Sequence, residues 1–448
     1  MECGKNRSGG ISLVACLLAA LFSAAATAQS AGEVEFSRGV GFAQTPGQTP
    51  RTLGKGLALK EGDRLTTSDG ASAIIKLQDG TRMTVRPNTD LVLQQYRFQE
   101  NSDSNSMVMQ LLRGGLRAVT GLISKSSPTA ARIQTSTATI GIRGTDFDAR
   151  ICAKDCGAES ARVAEKPRPN AVQASAKVVS AQGELNAVDG SGARRRLVGG
   201  GSVYPGDLVE TGAATKAVLA FRDESRVSLG STTRFRVDNF VFDDKAPEEG
   251  RFLVSLLRGS VRALTGLIGK SNNRNVGFST ATATIGIRGT GFDADCVEDA
   301  CNYYTWLGSI ALARPGHAAL NELVAGQGLS VGPTGTRVLN TTTLPDLQRP
   351  DTISVDTKQL FGENAVAEDQ EGLFVFVRDG HIEVSTAREV LHLGKGEAGF
   401  AGDQGNTARP TTVPRFLDFD RVPLPNSKNP MLATVLGETG IRLTNQCR

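Results

Sequence analysis

Short alternating runs of apolar and polar residues, separated by turn residues, recur along most of this chain. Val34 and Phe36 open the first run, and a Gly/Pro/Thr stretch to Gly56 follows, predicting a strand and then a long loop. Glu61-Gly62-Asp63 reads as a turn, Arg64 to Thr67 as a strand, Asp69-Gly70 as a hairpin signal and Ala71 to Leu77 as a second strand. Asp79-Gly80 turns into Thr81 to Arg86, where Met83 and Val85 face one side and Thr84 and Arg86 the other. Pro87-Asn88 breaks that strand before Leu91, Leu93 and Gln95 resume the alternation. Strands joined by tight turns predict an all-β fold of antiparallel sandwich or roll type.

The pattern is written twice. LLRGGLRAVTGLISK and STATIGIRGTDFDA, from Leu111 to Phe147, return as LLRGSVRALTGLIGK and TATATIGIRGTGFDA, from Leu256 to Phe292, 145 positions on. A shift far beyond the roughly 20–50 residues of a solenoid unit means two tandem domains. The second copy shows the same grammar: Val178 to Val188, a Pro205-Gly206-Asp207 turn, Ala217 to Phe221, Arg226 to Leu229 and Arg234 to Phe240. Glu224 stands where Gly80 does, so that turn is not expected to need a positive φ in both copies. Gly114-Gly115 and Gly259-Ser260 interrupt the apolar LLRG segments, which favours two strands around a glycine turn. Tyr303 to Leu312 and Leu323 to Val331 read as a returning hairpin that completes the second copy; the first has no obvious equivalent. Leu373 to Val377, an Arg378-Asp379-Gly380 turn, His381 to Thr386 and Val390 to Leu393 form a C-terminal β-hairpin module, which needs to dock on one of the copies to be stable. The expected division is a signal peptide at 1–28, domain one at 32–157, a linker at 158–176, domain two at 177–335, the hairpin module at 370–402 and a proline-rich tail at 403–448.

Lys5 and Arg7, the apolar Ile11 to Ala26 and the small residues Ala26-Thr27-Ala28 read as a cleavable export signal. Leu13-Val14-Ala15-Cys16 looks like a lipoprotein box, but the apolar core continues through Leu17 to Phe22, which argues against lipidation. No later stretch has the roughly 18 apolar residues of a membrane helix, so a soluble periplasmic protein is expected. Cleavage leaves Cys152 and Cys156, Cys296 and Cys301, and Cys447. In an oxidising compartment each close pair reads as a local disulfide. Zinc is the rival reading, and it needs about four ligands where no histidine lies nearby in sequence.

A formal net charge of +4 implies no strong attraction to nucleic acid. His317, His381 and His392 have no nucleophile or ligand pattern beside them, and no metal or cofactor is expected. Asp146 and Asp148 resemble a carboxylate pair, yet Gly291 replaces Asp146 in copy two, so a shared acid–base mechanism cannot need both. The cations repeat instead: Arg113, Arg117, Lys125 and Arg143 match Arg258, Arg262, Lys270 and Arg288. They are solvated charges or internal partners for carboxylates on one reading, and a basic stripe for an anionic partner on the other.

The order of a Gly-Asp turn, a strand with Asp-Gly or its equivalent, an LLRG segment and T-A-T-IGIRGT-x-F resembles the FecR-like domain, named for the periplasmic part of the ferric-citrate signalling regulator. The resemblance covers roughly Glu61 to Phe147 and Gly206 to Phe292. It implies an all-β extracytoplasmic domain used for protein contact and signalling, without enzymatic activity. The expected partner is an envelope protein; the alternative is an anionic glycan or small ligand on the basic stripes.

Overall fold

The structure, a computed structural model, describes residues 30–126, 129–314, 316, 321–418 and 424–425. The expected signal segment, His317 and Cys447 lie outside them. Period-two alternation translates directly into burial. In Arg234–Val241, Phe235 and Val237 enter the core while Arg234 and Arg236 stay in solvent, because successive strand side chains point to opposite faces.

Each copy builds one 15-stranded sheet, and the two sheets follow the same order. The second runs Arg194–Arg196, Leu185–Val188, Leu208–Thr211, Arg234–Val241, Arg251–Leu264, Val276–Thr280, Thr284–Val297, Ala300–Ala313, Gly328–Gly332 and Gly335–Leu339. The first matches it place by place until Thr139–Cys152, whose outer neighbour is Gly372–Ser385, from the far end of the chain. Thr284–Val297 finds the corresponding partner immediately, in Ala300–Ala313. The second copy is therefore inserted into the first, between its last two long strands. The C-terminal hairpin, formed by Gly372–Ser385 and Val390–Gly394, sends Leu373, Val375, Val377, Ile382 and Val384 into the first core. Phe374 and Phe376, on the other face, pack with Phe400 and Phe416 in a smaller core.

Several local expectations change. Ser106–Val119 and Arg251–Leu264 are single 14-residue strands, not two strands around a glycine turn. Gly114 and Gly259 take positive φ (76° and 83°) where each strand exchanges partners. Ser106 to Arg113 pairs with Asp90–Arg97, and Leu116 to Val119 with Arg82–Val85. The glycine thus bends the sheet around its core without reversing the chain. Arg378-Asp379-Gly380 is likewise a kink within Gly372–Ser385, where a Cβ on Gly380 would lie 2.5 Å from the Gly144 carbonyl oxygen. Glu224 does adopt a positive φ, 67° against 86° at Gly80, so the turn demands that conformation in both copies. Each otherwise antiparallel sheet holds one parallel pair, Ala131–Gln134 beside Ser106–Val119 and Val276–Thr280 beside Arg251–Leu264. The short Leu122–Ser126 and Leu267–Ser271 helices carry the chain back for that crossover. The stretch 158–176, expected as a linker, is held in place. Asn170 is fully buried and exchanges hydrogen bonds with Ala398 (2.8 and 2.9 Å), and Val172 and Ala174 are also buried.

Candidate interaction surface

The repeated motifs are first of all a lock. Thr81 and Asp79 in one copy, and Ser225 and Asp223 in the other, form a turn that receives the TGLI segment. Gly121 N–H donates to Thr81 Oγ1 (2.9 Å) and Gly266 N–H to Ser225 Oγ (2.8 Å). A Cβ at Gly121 or Gly266 would stand 2.2 or 1.9 Å from the carbonyl oxygen of Asp79 or Asp223, so only glycine fits. In IGIRGT, Gly144 and Gly289 both have φ of 60°, and the next residue closes the bulge. Thr145 N–H donates to Thr120 Oγ1 (2.7 Å) and Thr290 N–H to Thr265 Oγ1 (2.8 Å).

The eight cations expected to form stripes divide. Arg262 is buried and makes two hydrogen bonds of 2.8 Å to Asp293, and also reaches the Leu347 carbonyl. Arg117 is buried 3.8 Å from Asp146. Arg143 pairs with Glu383 at 3.1 Å. Arg113, Lys125, Arg258 and Lys270 are exposed; the side chain of Arg288 lies outside what is described. A stripe through Arg117 and Arg262 therefore does not form, because carboxylates on the neighbouring strand claim both guanidinium groups.

Copy two needs Gly291 where copy one has Asp146, because a Cβ there would sit 2.3 Å from the Trp306 ring. Trp306 Nε1–H donates to Asp293 (3.0 Å), and Arg349 lies over the indole at 4.4 Å. In copy one Arg378 takes the place of Trp306 and donates to Asp148 (2.7 Å). Burial raises the Asp146 carboxyl, Arg117 opposes that, and the Asp148 charge adds to it. Asp146 and Asp148 thus belong to arginine-bound packing rather than to an open cleft.

Of the exposed motif cations, Arg258 joins a cluster of exposed cations on one face of the second sheet, where Arg196, Asn186, Glu210, Arg234 and Arg258 lie directly opposite one another across five strands. Arg194 and Arg236 flank this row. Glu210 accepts from Arg194 (2.5 Å) and Arg234 (3.1 Å), and Asp238 pairs with Arg236. The matching row of the first sheet is Thr52, Phe42, Thr66, Asp90 and Arg113. Only Arg113 and Arg258 belong to the repeated motifs; the rest of the row emerges only when the strands are set in register.

A second cluster lies where the inserted copy meets the first. Lys177 (0% exposed), Glu397 (1%) and Arg409 (1%) form a buried triad, with both cations donating to Glu397 Oε2 at 3.0 and 3.1 Å. Burial lowers the Lys177 ammonium to about 8, Glu397 opposes that shift and Arg409 adds to it. Burial raises the Glu397 carboxyl, but Lys177 and Arg409 outweigh it and hold it below the usual range. Beside the triad, the His381 and His392 rings stack with centroids 5.5 Å apart. Burial lowers both imidazoles, His392 to about 4, and Lys177 and Arg143 add to the shift. A cleft of about 270 Å³ here is lined by Val178, Gly200, Asp356, Gln359, His392 and Arg409 among others.

The disulfides Cys152–Cys156 and Cys296–Cys301 close the ends of the long strands, as the cysteine spacing suggests. No helix among the described residues is long and apolar enough to cross a membrane. The class is an all-β, disulfide-bearing protein of two matching sheets. The family model described as FecR protein matches residues 63–165 and again 207–310, so the chain carries two FecR-like regions in tandem. No curated protein matches it significantly. Two crystal structures of a "putative anti-sigma factor" from Parabacteroides distasonis ATCC 8503, at 2.50 and 1.65 Å resolution, are similar to it. Both show 14% identity and a TM-score of 0.25, covering 31% of this chain and 61% of that one.

Proposed function

We propose that this chain is a non-enzymatic FecR-type scaffold of the periplasm that holds an envelope protein in a sensing or signalling pathway. The observation that carries the reading is the tandem FecR match on two sheets that one insertion joins. Two disulfides suit an oxidising compartment, and Lys5, Arg7, Ile11 to Ala26 and Ala26-Thr27-Ala28 support delivery by a cleaved signal. The working units are 32–157 completed by 370–402, and 177–335.

Cross-linking with mass spectrometry in the source cells, on a tagged chain, tests this. Links from the exposed Lys125 or Lys270 to one envelope protein are expected. Links confined to the chain itself would overturn the reading.

A further inference from the structure

We infer that the arginine face of the second sheet binds an extended anionic polysaccharide bearing regularly placed carboxylate or sulfate groups. This goes beyond the protein-contact reading and does not rest on it. The fold does not require these cations. The same backbone forms in copy one with Asp90 in place of Arg234, Thr66 in place of Glu210 and Thr52 in place of Arg196. Copy two also accepts a cost, since Arg234 and Arg258 are directly opposite and like charges so placed are destabilising. Five arginines face three carboxylates, Glu210, Asp238 and the Glu184 that accepts from Asn186 (2.9 Å). Neither Arg196 nor Arg258 has an ion pair or hydrogen-bond partner for its side chain among the described residues.

The shape of the face selects the ligand. Five adjacent strands at about 4.8 Å spacing give a row roughly 19 Å long. Glu210 holds Arg194 and Arg234 in place, and a fixed guanidinium fork suits planar or tetrahedral oxyanions. No aromatic side chain lies in the row, and the exposed Leu257 adjoins it in the chain beside Arg258. A protein interface is usually anchored by buried aromatic residues, so charge along a polymer fits this face better than apolar docking.

The test uses the whole secreted chain with immobilised polygalacturonate and dextran sulfate, neutral dextran as control, and phosphatidylglycerol vesicles as the competing source of negative charge. The expected result is binding to both polyanions, absent on neutral dextran and weakened as salt shortens the screening length. Arg196→Ser with Arg258→Ser should weaken it about tenfold or more, as loss of two charge-assisted contacts requires, without lowering the thermal midpoint. Arg113→Ser, the copy-one counterpart, should bind as the native chain does. No binding at low salt, an undiminished double variant, equal loss in Arg113→Ser, or binding to the vesicles alone would each overturn the inference. None of these outcomes depends on an envelope protein being found.

Discussion

Replacing Glu397 by Gln removes one negative charge and almost no volume. Lys177 and Arg409 would then share a buried site with no buried counter-charge among the described residues, although each keeps a hydrogen bond to the His392 carbonyl oxygen, at 3.0 and 2.6 Å. Breaking a buried ion pair from one side costs about 3–5 kcal/mol, and the remaining amide oxygen places this change at about 3. For a unit of this size each kcal/mol shifts the midpoint by about 2–4 °C, so calorimetry should show a fall of roughly 6–12 °C. The reference is Glu383→Gln, which breaks the half-buried Arg143 pair (3.1 Å) and should cost about 1 kcal/mol or less. Lys177 titrates near 8 in the folded chain, below its ordinary 10.5. Between those values the unfolded chain binds more protons, so the penalty for burying the ammonium is present below pH 8 and relieved as pH rises toward 10.5. The Glu397→Gln deficit should therefore narrow at about pH 9.5, where the folded lysine is largely neutral. Equal losses in the two variants, or a deficit that widens in alkali, would refute the reasoning.

His392 is held down to about 4, so its contribution is full above 6.5 and is lost as pH falls through about 4. That window is worth about 3 kcal/mol, and His392→Asn should flatten the acid limb in urea titrations between those pH values. Arg262→Leu, which strands the buried Asp293, should cost about 3–5 kcal/mol in chemical unfolding, against about 0.5 or less for Arg258→Leu. Glu224→Gly should raise stability by up to about 1 kcal/mol, the relief of a left-handed backbone less the entropy of the added glycine. A lower unfolding midpoint for that variant would show that the Glu224 side chain makes a contribution of its own.

Strands were legible wherever one face is buried, because alternation then reports burial directly. Arg64–Thr67 and Arg226–Leu229 match the sequence reading residue for residue. Glycine was the weak point: it marks a positive φ, and a kink inside a long strand uses that φ as readily as a turn does. Gly114, Gly259 and Gly380 all kink where the sequence suggested reversal. The positive φ of Glu224 left no trace in its residue type. Nor did local pattern disclose that Thr139–Cys152 pairs with a segment more than 200 residues away, since Ala300–Ala313 and Gly372–Ser385 both read as apolar strands. The cations were visible by type and spacing but not by face. Two of them met Asp293 and Asp146, while the row at Arg234 appeared only from the cross-strand register.

The insertion has a consequence for biosynthesis. A chain made from its N-terminus presents Thr139–Cys152 long before Gly372–Ser385 exists, so the earlier half of the molecule must wait with a bare edge while the later half closes. During that interval Ala300–Ala313, already shaped to lie beside an IGIRGT strand, emerges within reach of two such strands. Its correct choice must be made by proximity, since it follows Thr284–Val297 after a turn of only Glu298 and Asp299. Maturation is complete only when the last part of the chain returns to the first, so a product truncated before residue 372 would keep one finished sheet and one open one.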